Sequence, residues 1–556
     1  MASRTEGDGA ALAALEPTEP LADAATRPRG STRPAPALVV VSVVIGVVFA
    51  GPFLYVLTQN VRLGTDLWGE LTSASTLRAL WRTLSLATAV ALTAAALGTA
   101  MAWVTTRSDL PARRLWRVLA PLPLVFPSFV GASALLAALG PGGLVEELLG
   151  PVGADRVPDI NGFDGAWFVL TLFTYPYVYL PVAARLTALP SSLEESARLL
   201  GRSPRSVFRT VVLPQCRGAI WAGGLLVFLY TVSDFGAVKL LRYNTLATQI
   251  YANRLFDRSQ SFALALILSI VALAVVMAER GVGRRAVQVE ATGGGRPLQV
   301  PFGRWRPVAL AGVLVVLTAA LVGPVATLAY WAVRGLTGTG SGAIEAASLV
   351  APTINTGVIG LTTAVVAVLV VLPVAFLTVR YRSRAGAGAN AFVVAGFAIP
   401  GLVVALALVF WTLNAPLLGS LYQTLPVLIF AYVVHFGAQS MRAAQVGVSG
   451  VPSRLGDAAR MLGAGPTRRL LTIDLPLMVP SLVAGGGLVL LSTMKELPAT
   501  LLLRPTNVEM LSTDIWNAAE DGFLSKMSVS ALVLVALSGV LTWLLVVRRH
   551  PASASG

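Results

Sequence analysis

The chain reads as an all-α polytopic membrane protein made of two homologous six-helix halves. Three observations predict this. The 556 residues are 55% hydrophobic and only 12% charged, with a mean hydropathy of +0.74, whereas soluble domains carry about 25% charged residues. Apolar runs of roughly 20 residues, the length an α-helix needs to cross a bilayer, recur along the whole chain. Finally, one polar stretch occurs twice. "ESARLLGRSPRSVFRTVVLP", from Glu195 to Pro214, returns as "DAARMLGAGPTRRLLTIDLP", from Asp457 to Pro476, at an offset of 262 positions.

Taken in order, residues 1–36 form an Ala-, Pro- and Thr-rich tail that predicts disorder. The run from Leu38 is too long for a signal-peptide core and lacks a cleavage site, so it reads as a retained first span. Hydropathy then predicts about twelve spans: 37–58, 81–105, 118–139, 165–187, 218–241 and 262–279, followed by 308–333, 356–379, 390–413, 424–444, 478–503 and 526–547. The first membrane domain is therefore 37–280 with its polar loop at 190–214. A Gly- and Arg-rich linker covers 281–306, a second domain 307–548 with its loop at 452–476, and a short tail 549–556.

Arginines settle the expected sidedness. Arg27, Arg29 and Arg33 precede the first span, Arg107, Arg113, Arg114 and Arg117 fill the second connection, and Arg198, Arg202, Arg205 and Arg209 the fourth. The opposite loops carry Glu146, Glu147, Asp155, Asp159 and Asp164, or Glu509, Asp514, Glu520 and Asp521. The positive-inside rule then puts both termini and both polar loops in the cytoplasm of a multi-pass plasma (inner) membrane protein. The net charge of +15 reports topology and contact with anionic lipid, and nucleic acid is not an expected partner. The single Cys216 excludes an intramolecular disulfide framework and any multi-cysteine metal site.

The duplication extends beyond the polar loop. Gly51-Pro52 parallels Gly323-Pro324, "AWVTTR" ending at Arg107 parallels "AFLTVR" ending at Arg380, and Pro127 parallels Pro400. Within the loop, Pro190 or Pro452 followed by Ser and an acid is a helix start. Leu193, Ala197 and Leu200 fall at helical spacing and predict an apolar stripe. Gly201 and Gly463 stand where the helix ends in a left-handed turn, and Pro214 and Pro476 mark where the next span begins. The spacing predicts a helix–turn–helix elbow suited to docking in a groove of another protein, with a helix lying in the lipid interface as the plainer alternative.

The pattern acid–Ala–Ala, three residues, Gly, nine residues, aliphatic, one residue, Leu-Pro resembles the EAA loop of ABC importer permeases. Glu195, Ser196, Ala197, Gly201 and Pro214 fit it, as do Asp457, Ala458, Ala459, Gly463 and Pro476, with Ser196 and Asp457 as the departures. The resemblance implies the type I ABC importer (MetI-like) fold. It also implies two copies of a cytoplasmic ABC ATPase seated on the elbows and an extracytoplasmic substrate-binding protein. Nothing in the sequence supports an enzyme: Lys239, Lys495 and Lys526, its only lysines, lie outside any G-x-x-x-x-G-K-[ST] context. ATP and Mg would be used by the partner ATPase, with no cofactor bound by this chain.

After each elbow the chain carries acids within the expected spans, Asp234 and Glu496, about 24–30 Å from the cytoplasmic end at 1.5 Å per residue. Intramembrane carboxylates face a bundle interior or a water-filled path. "SDFGAVKLL" and "KELPATLLLRP" resemble fused ferric-iron permeases of the Fbp/Sfu type, which implies Fe(III) as cargo; carboxylates suit a hard cation. An ion pair with Lys239 or Lys495, or a gate-stabilising hydrogen bond, is the structural alternative. Asp234, Glu496, Lys495 and His435 are thus the candidate pathway residues, with no stable metal site expected. His435, the one histidine within a span, is read first as a helix–helix hydrogen-bonding residue. Thiamine, polyamine and inorganic-anion permeases stay open as relatives of the same layout, and a secondary transporter as an alternative class.

Overall fold

The computed structural model describes residues 34–149, 160–285, 299–338, 346–416 and 418–546. The tail before residue 34, half of the linker (286–298), Asp155, Asp159 and residues 547–556 lie outside the described residues. Among the described residues, eleven helices are long and apolar enough to cross a membrane, or twelve if one bent pair counts as a single span.

The first half contains α1 (Pro36–Arg62), α2 (Ala74–Arg107), α3 (Ser128–Leu139), α4 (Gly162–Ala188), α5 (Ser191–Leu199), α6 (Arg205–Ser233), α7 (Gly236–Leu240), α8 (Leu246–Asn253) and α9 (Arg258–Arg285). The second contains α10 (Gly303–Leu336), α11 (Val350–Val379), α12 (Arg384–Ala398), α13 (Gly401–Asn414), α14 (Leu425–Ser449), α15 (Ser453–Met461), α16 (Pro466–Met494), α17 (Pro498–Leu503), α18 (Leu511–Glu520) and α19 (Leu524–Val546).

Four expected spans are not continuous. The third, 118–139, is cut at Phe126-Pro127: Arg113–Leu119 is a short helix, Leu122–Val125 a 3₁₀ turn, and α3 begins at Ser128. The ninth, 390–413, is bent by 104° between α12 and α13. Phe126 and Ile399 are both extended, with ψ of 129° and 127°, as the ring of a following proline demands. The fifth, 218–241, stops at Ser233 and the eleventh, 478–503, at Met494; each resumes as a short helix, α7 or α17.

Pro214 and Pro476 do not start the spans after the elbows. Those helices begin between two and three turns earlier and run through the prolines, because a π turn precedes each: Phe208–Val212 before Leu213-Pro214 and Leu470–Asp474 before Leu475-Pro476. Thr318–Val322 does the same before Gly323-Pro324 in α10. The wider turn takes up the ring's clash with the preceding carbonyls, and the helix continues where a regular one would kink. Pro52, the counterpart in the first half, sits inside α1.

The halves interlock through their first spans. α1 packs on α9 of its own half and on α11, α12 and α13 of the other. Asn60 Nδ2 donates to the Phe262 carbonyl at 2.9 Å, while Asn414 Nδ2 donates to the Tyr55 hydroxyl at 3.1 Å. Reciprocally, α10 packs on α19 and on α3, with Trp331 Nε1 donating to the Ala137 carbonyl at 3.2 Å. Val40, Val44 and Val47 on the outer side of α1 stay exposed, as a helix facing acyl chains requires.

Candidate functional site

Two pairs of features carry the chemistry: the elbows and the breaks that follow them. Each elbow helix, α5 or α15, ends the same way. Gly201 has φ +78° and Gly463 φ +76°, a left-handed conformation that a β-carbon disfavours. The amides of Gly201 and Arg202 donate to the carbonyls of Arg198 (2.9 Å) and Ala197 (3.2 Å). Those of Gly463 and Ala464 donate to Arg460 (3.0 Å) and Ala459 (2.9 Å). This is the Schellman pattern, and it satisfies the last carbonyls of both helices.

Ala197 and Ala459 face inward, whereas Leu199 and Leu200 are 88% and 82% exposed, and Met461 and Leu462 90% and 87%. The expected stripe of Leu193, Ala197 and Leu200 is therefore split: only Ala197 is buried, Leu193 is 40% exposed, and Leu200 joins Leu199 at an apolar tip. The Gly turn lifts the last residues of the helix off the protein, which periodicity alone does not reveal. Glu195, Ser196 and Ala458 are exposed, and the partly exposed Asp457 pairs with Arg460 one turn on. Pro214 and Pro476 lie inside the following spans, as described above.

Behind the tips the elbows are held differently. Arg107, fully buried at the end of α2, donates from Nη1 to Glu194 Oε1 at 2.7 Å and from Nε and Nη2 to the Leu186 carbonyl at 3.1 and 2.6 Å. Burial pushes the Glu194 carboxyl above its usual value, with the Arg107 charge opposing the shift. In the second half the position of Glu194 is Gly456 and that of Val212 is Asp474. Arg380, the counterpart of Arg107, reaches Asp474 Oδ1 at 3.3 Å, and Arg469 Nε reaches Oδ2 at 3.2 Å. A β-carbon on Gly456 would lie 2.7 Å from Arg380 Nη2, so the arginine passes over the glycine to its acid.

Three of the candidate pathway residues, Asp234, Lys495 and Glu496, lie in the breaks, whereas His435 lies within the continuous α14. Asp234 is 7% exposed. Its Oδ1 accepts from the amides of Ala237 (3.0 Å) and Val238 (3.3 Å), and its Oδ2 accepts a short bond from the Ser128 hydroxyl. Glu496 Oε1 accepts from the Ala499 amide at 3.2 Å. Each carboxylate thus satisfies the start of the short helix after its break, the role of a capping side chain. Lys495, the counterpart of Ser233, donates from Nζ to the Leu124 carbonyl of the other half at 3.1 Å. Among the described residues no ion pair joins Asp234 to Lys239 or Glu496 to Lys495; hydrogen bonds take that place.

Ser128 and Gly401 are equivalent, each following its break proline. Asp234 meets a serine hydroxyl, whereas a β-carbon on Gly401 would lie 2.5 Å from Glu496 Oε1 and 3.3 Å from His435 Nε2. The second half has exchanged Asp plus Ser for Glu plus Gly, with the longer acid filling the room left by the missing side chain. His435 is brought to the same place, its ring packed against Phe397 and Phe436 at 6.2 and 4.5 Å between centroids, with the backbone of Gly396 and Ile399 at the end of α12 as its hydrogen-bonding neighbours. The breaks also meet across the halves, since a β-carbon on Gly236 would lie 3.1 Å from Leu497 Cδ2. Among the described residues no three His, Cys, Asp or Glu side chains converge as a metal site.

Arg107, Glu194, Arg380, Asp474, Ser128 and Gly401 were not singled out as functional from the sequence. The matching "AWVTTR" and "AFLTVR" segments and the paired prolines were the signals that pointed to four of them: Arg107, Arg380, Ser128 and Gly401.

Two interlocked helical halves, each with a surface elbow followed by a broken span, define a polytopic transport protein built by duplication. The chain belongs to the family of binding-protein-dependent transport system inner membrane components, which its residues 94–278 and 367–548 match in two copies. It is a fused twin permease of the ABC importer class. The Fe(3+)-transport system permease protein FbpB 2 of Haemophilus influenzae is 29% identical over 92% of this chain and 98% of its own length. The ferric transport system permease protein FbpB of Actinobacillus pleuropneumoniae is 24% identical over 86% of this chain and 72% of its own. The molybdenum transport system permease protein ModB of Mycobacterium bovis is 31% identical over 45% of this chain and 94% of its own.

Proposed function

We propose that this permease moves Fe(III) inward by alternating access, driven by two copies of a cytoplasmic ATPase that seat on the elbows. The reading places both termini and both elbows in the cytoplasm, with ATP and Mg consumed by the partner. A binding protein delivers cargo on the opposite face. The observation that carries it is the repetition, 262 positions apart, of an exposed apolar tip on a glycine-ended helix: Leu199-Leu200 and Met461-Leu462. Exposed leucine and methionine at a helix end are anchors for a groove, and two matching anchors suit two matching grooves. Glu195 and Asp457 add an outward acid beside each tip. In this reading Ser196, Ala197, Ala458 and Ala459 shape the helix, and Pro214 and Pro476 hold its exit.

Fe(III) is favoured by the full-length similarity to the H. influenzae ferric permease and by the carboxylates Asp234 and Glu496 at the two breaks, hard ligands suited to a hard cation in transit. Lys495 supports a second reading, an oxyanion cargo, since its ammonium sits at the meeting of the halves and the shorter relatives include a molybdenum permease.

Reconstitution with the ATPase and binding protein tests both. ATP-dependent uptake of Fe(III), lost in the Glu195→Lys/Asp457→Lys double variant, is the expected result. Uptake of molybdate instead of iron overturns the cargo. Undiminished uptake by the double variant without any ATPase overturns the coupling and favours a secondary transporter.

A further inference from the structure

The two elbows present alike tips but are gripped at different places. In the first half Arg107 bonds α5 itself, through Glu194 near the start of that helix and through the Leu186 carbonyl at the end of α4. In the second half Arg380 bonds Asp474, which lies in the π turn of α16, behind the elbow helix. Three positions have been exchanged together: Glu194, Val207 and Val212 stand opposite Gly456, Arg469 and Asp474. Val207 and Val212 are buried apolar groups, 2% and 1% exposed, where the second half has an arginine and an acid. A buried pair of this kind contributes little net stability, because desolvation offsets its attraction. What it does fix is geometry, through short, directional, charge-assisted bonds.

We propose that Arg107 with Glu194, and Arg380 with Asp474, are positioning pairs that tie each elbow to its half unequally: α5 moves rigidly with α2 and α4, whereas α15 swings on its Gly456 side about an anchored α16. This rests on the reading that the elbows are where the ATPases push. A closure step delivered equally to both elbows is then passed on stiffly in the first half and with slack in the second. The single shared pathway receives an asymmetric stroke from a symmetric motor.

Spin labels test the grip without the ATPase. Cys216→Ser provides a cysteine-free background, Leu199→Cys and Met461→Cys carry the tip labels, and Leu92→Cys on α2 and Leu369→Cys on α11 the references. Leu92 and Leu369 are 67% and 62% exposed. Double electron–electron resonance on the full-length protein in lipid should give a narrower distribution for 92–199 than for 369–461. Glu194→Gln should broaden the first, and Glu194→Gly/Val212→Asp should make it match the second. Equal widths in the wild-type halves, or widths indifferent to these substitutions, overturn the grip.

In the complete transporter Glu194→Gln should lower substrate moved per ATP hydrolysed by roughly tenfold, within the usual range of coupling factors, with Glu194→Asp recovering part of it. Widths that respond while transport per ATP stays constant would overturn the coupling reading and leave the grip standing. Asp474→Asn supplies the corresponding variant in the second half should the Glu194 variants fail to fold.

Discussion

The elbow tips and the breaks follow different rules within the same duplicated chain. The tips correspond side chain for side chain: Leu199 with Met461, Leu200 with Leu462, Gly201 with Gly463, and the same capping hydrogen bonds behind them. The breaks correspond only as sums, Asp234 plus Ser128 on one side and Glu496 plus Gly401 on the other. On the proposed function, a surface that meets two copies of one partner keeps the character of each position. An interior contact needs only that its local volume, charge and hydrogen bonds balance, so it can be exchanged between neighbours. The proposed pathway, moreover, would be single, and nothing would require its two sides to be alike.

The largest expected effect comes from breaking the similarity of the tips. Replacing Leu199, Leu200, Met461 and Leu462 by Asp should abolish co-purification with the ATPase. Losing one tip, at about 2 kcal/mol per anchor, should weaken binding at that site about 30-fold, by titration calorimetry with the purified ATPase. Comparable loss from either half is expected; strongly unequal loss would contradict a pair of matching grooves.

At the breaks, Gly401→Ala drives a methyl group toward Glu496 Oε1 and should cut the uptake rate by about tenfold, an overpacking cost of 1–2 kcal/mol. Gly401→Ser/Glu496→Asp, which rebuilds the pair of the first half, should recover most of the rate. Failure of that rescue, with normal expression, would show that the two breaks are not interchangeable sums.

Asp234→Ala leaves two amides and the Ser128 hydroxyl without their acceptor and should lower stability by about 1–3 kcal/mol. Glu496→Ala, which frees one described amide bond, should cost less, both read as shifts in thermal unfolding. The smallest effect belongs to the turns. Gly201→Ala and Gly463→Ala meet no neighbouring atom within 4 Å, so each should cost only the left-handed backbone penalty of about 1 kcal/mol. The two costs should agree.

Much of this was legible in the sequence, for identifiable reasons. Hydropathy located the spans because backbone polar groups in hydrocarbon must be satisfied by helix, and long apolar runs announce that. The Gly201 and Gly463 turns were legible because few other residues tolerate their φ. The breaks were misread as continuous because Asp234-Phe235 and Lys495-Glu496-Leu497 carry no interrupting proline before them. Their carboxylates end one helix by starting another, and only the folded chain shows those bonds. Phe126-Pro127 and Ile399-Pro400 do carry a signal, but in the sequence a paired proline reads as a repeat landmark as readily as a break.

Composition, periodicity and local backbone chemistry are enough to announce the membrane class, the duplication, the two elbows and the presence of an acid after each. Which acid each arginine takes, where the apolar tips point, and how Glu496, Gly401 and His435 share one space are settled by packing alone. Those outcomes join residues far apart in the chain, as Arg107 and Glu194 or Gly401 and Glu496 are. Such pairs are chosen by complementary volume and charge at close range, a condition that many sequences meet equally well until the helices are packed.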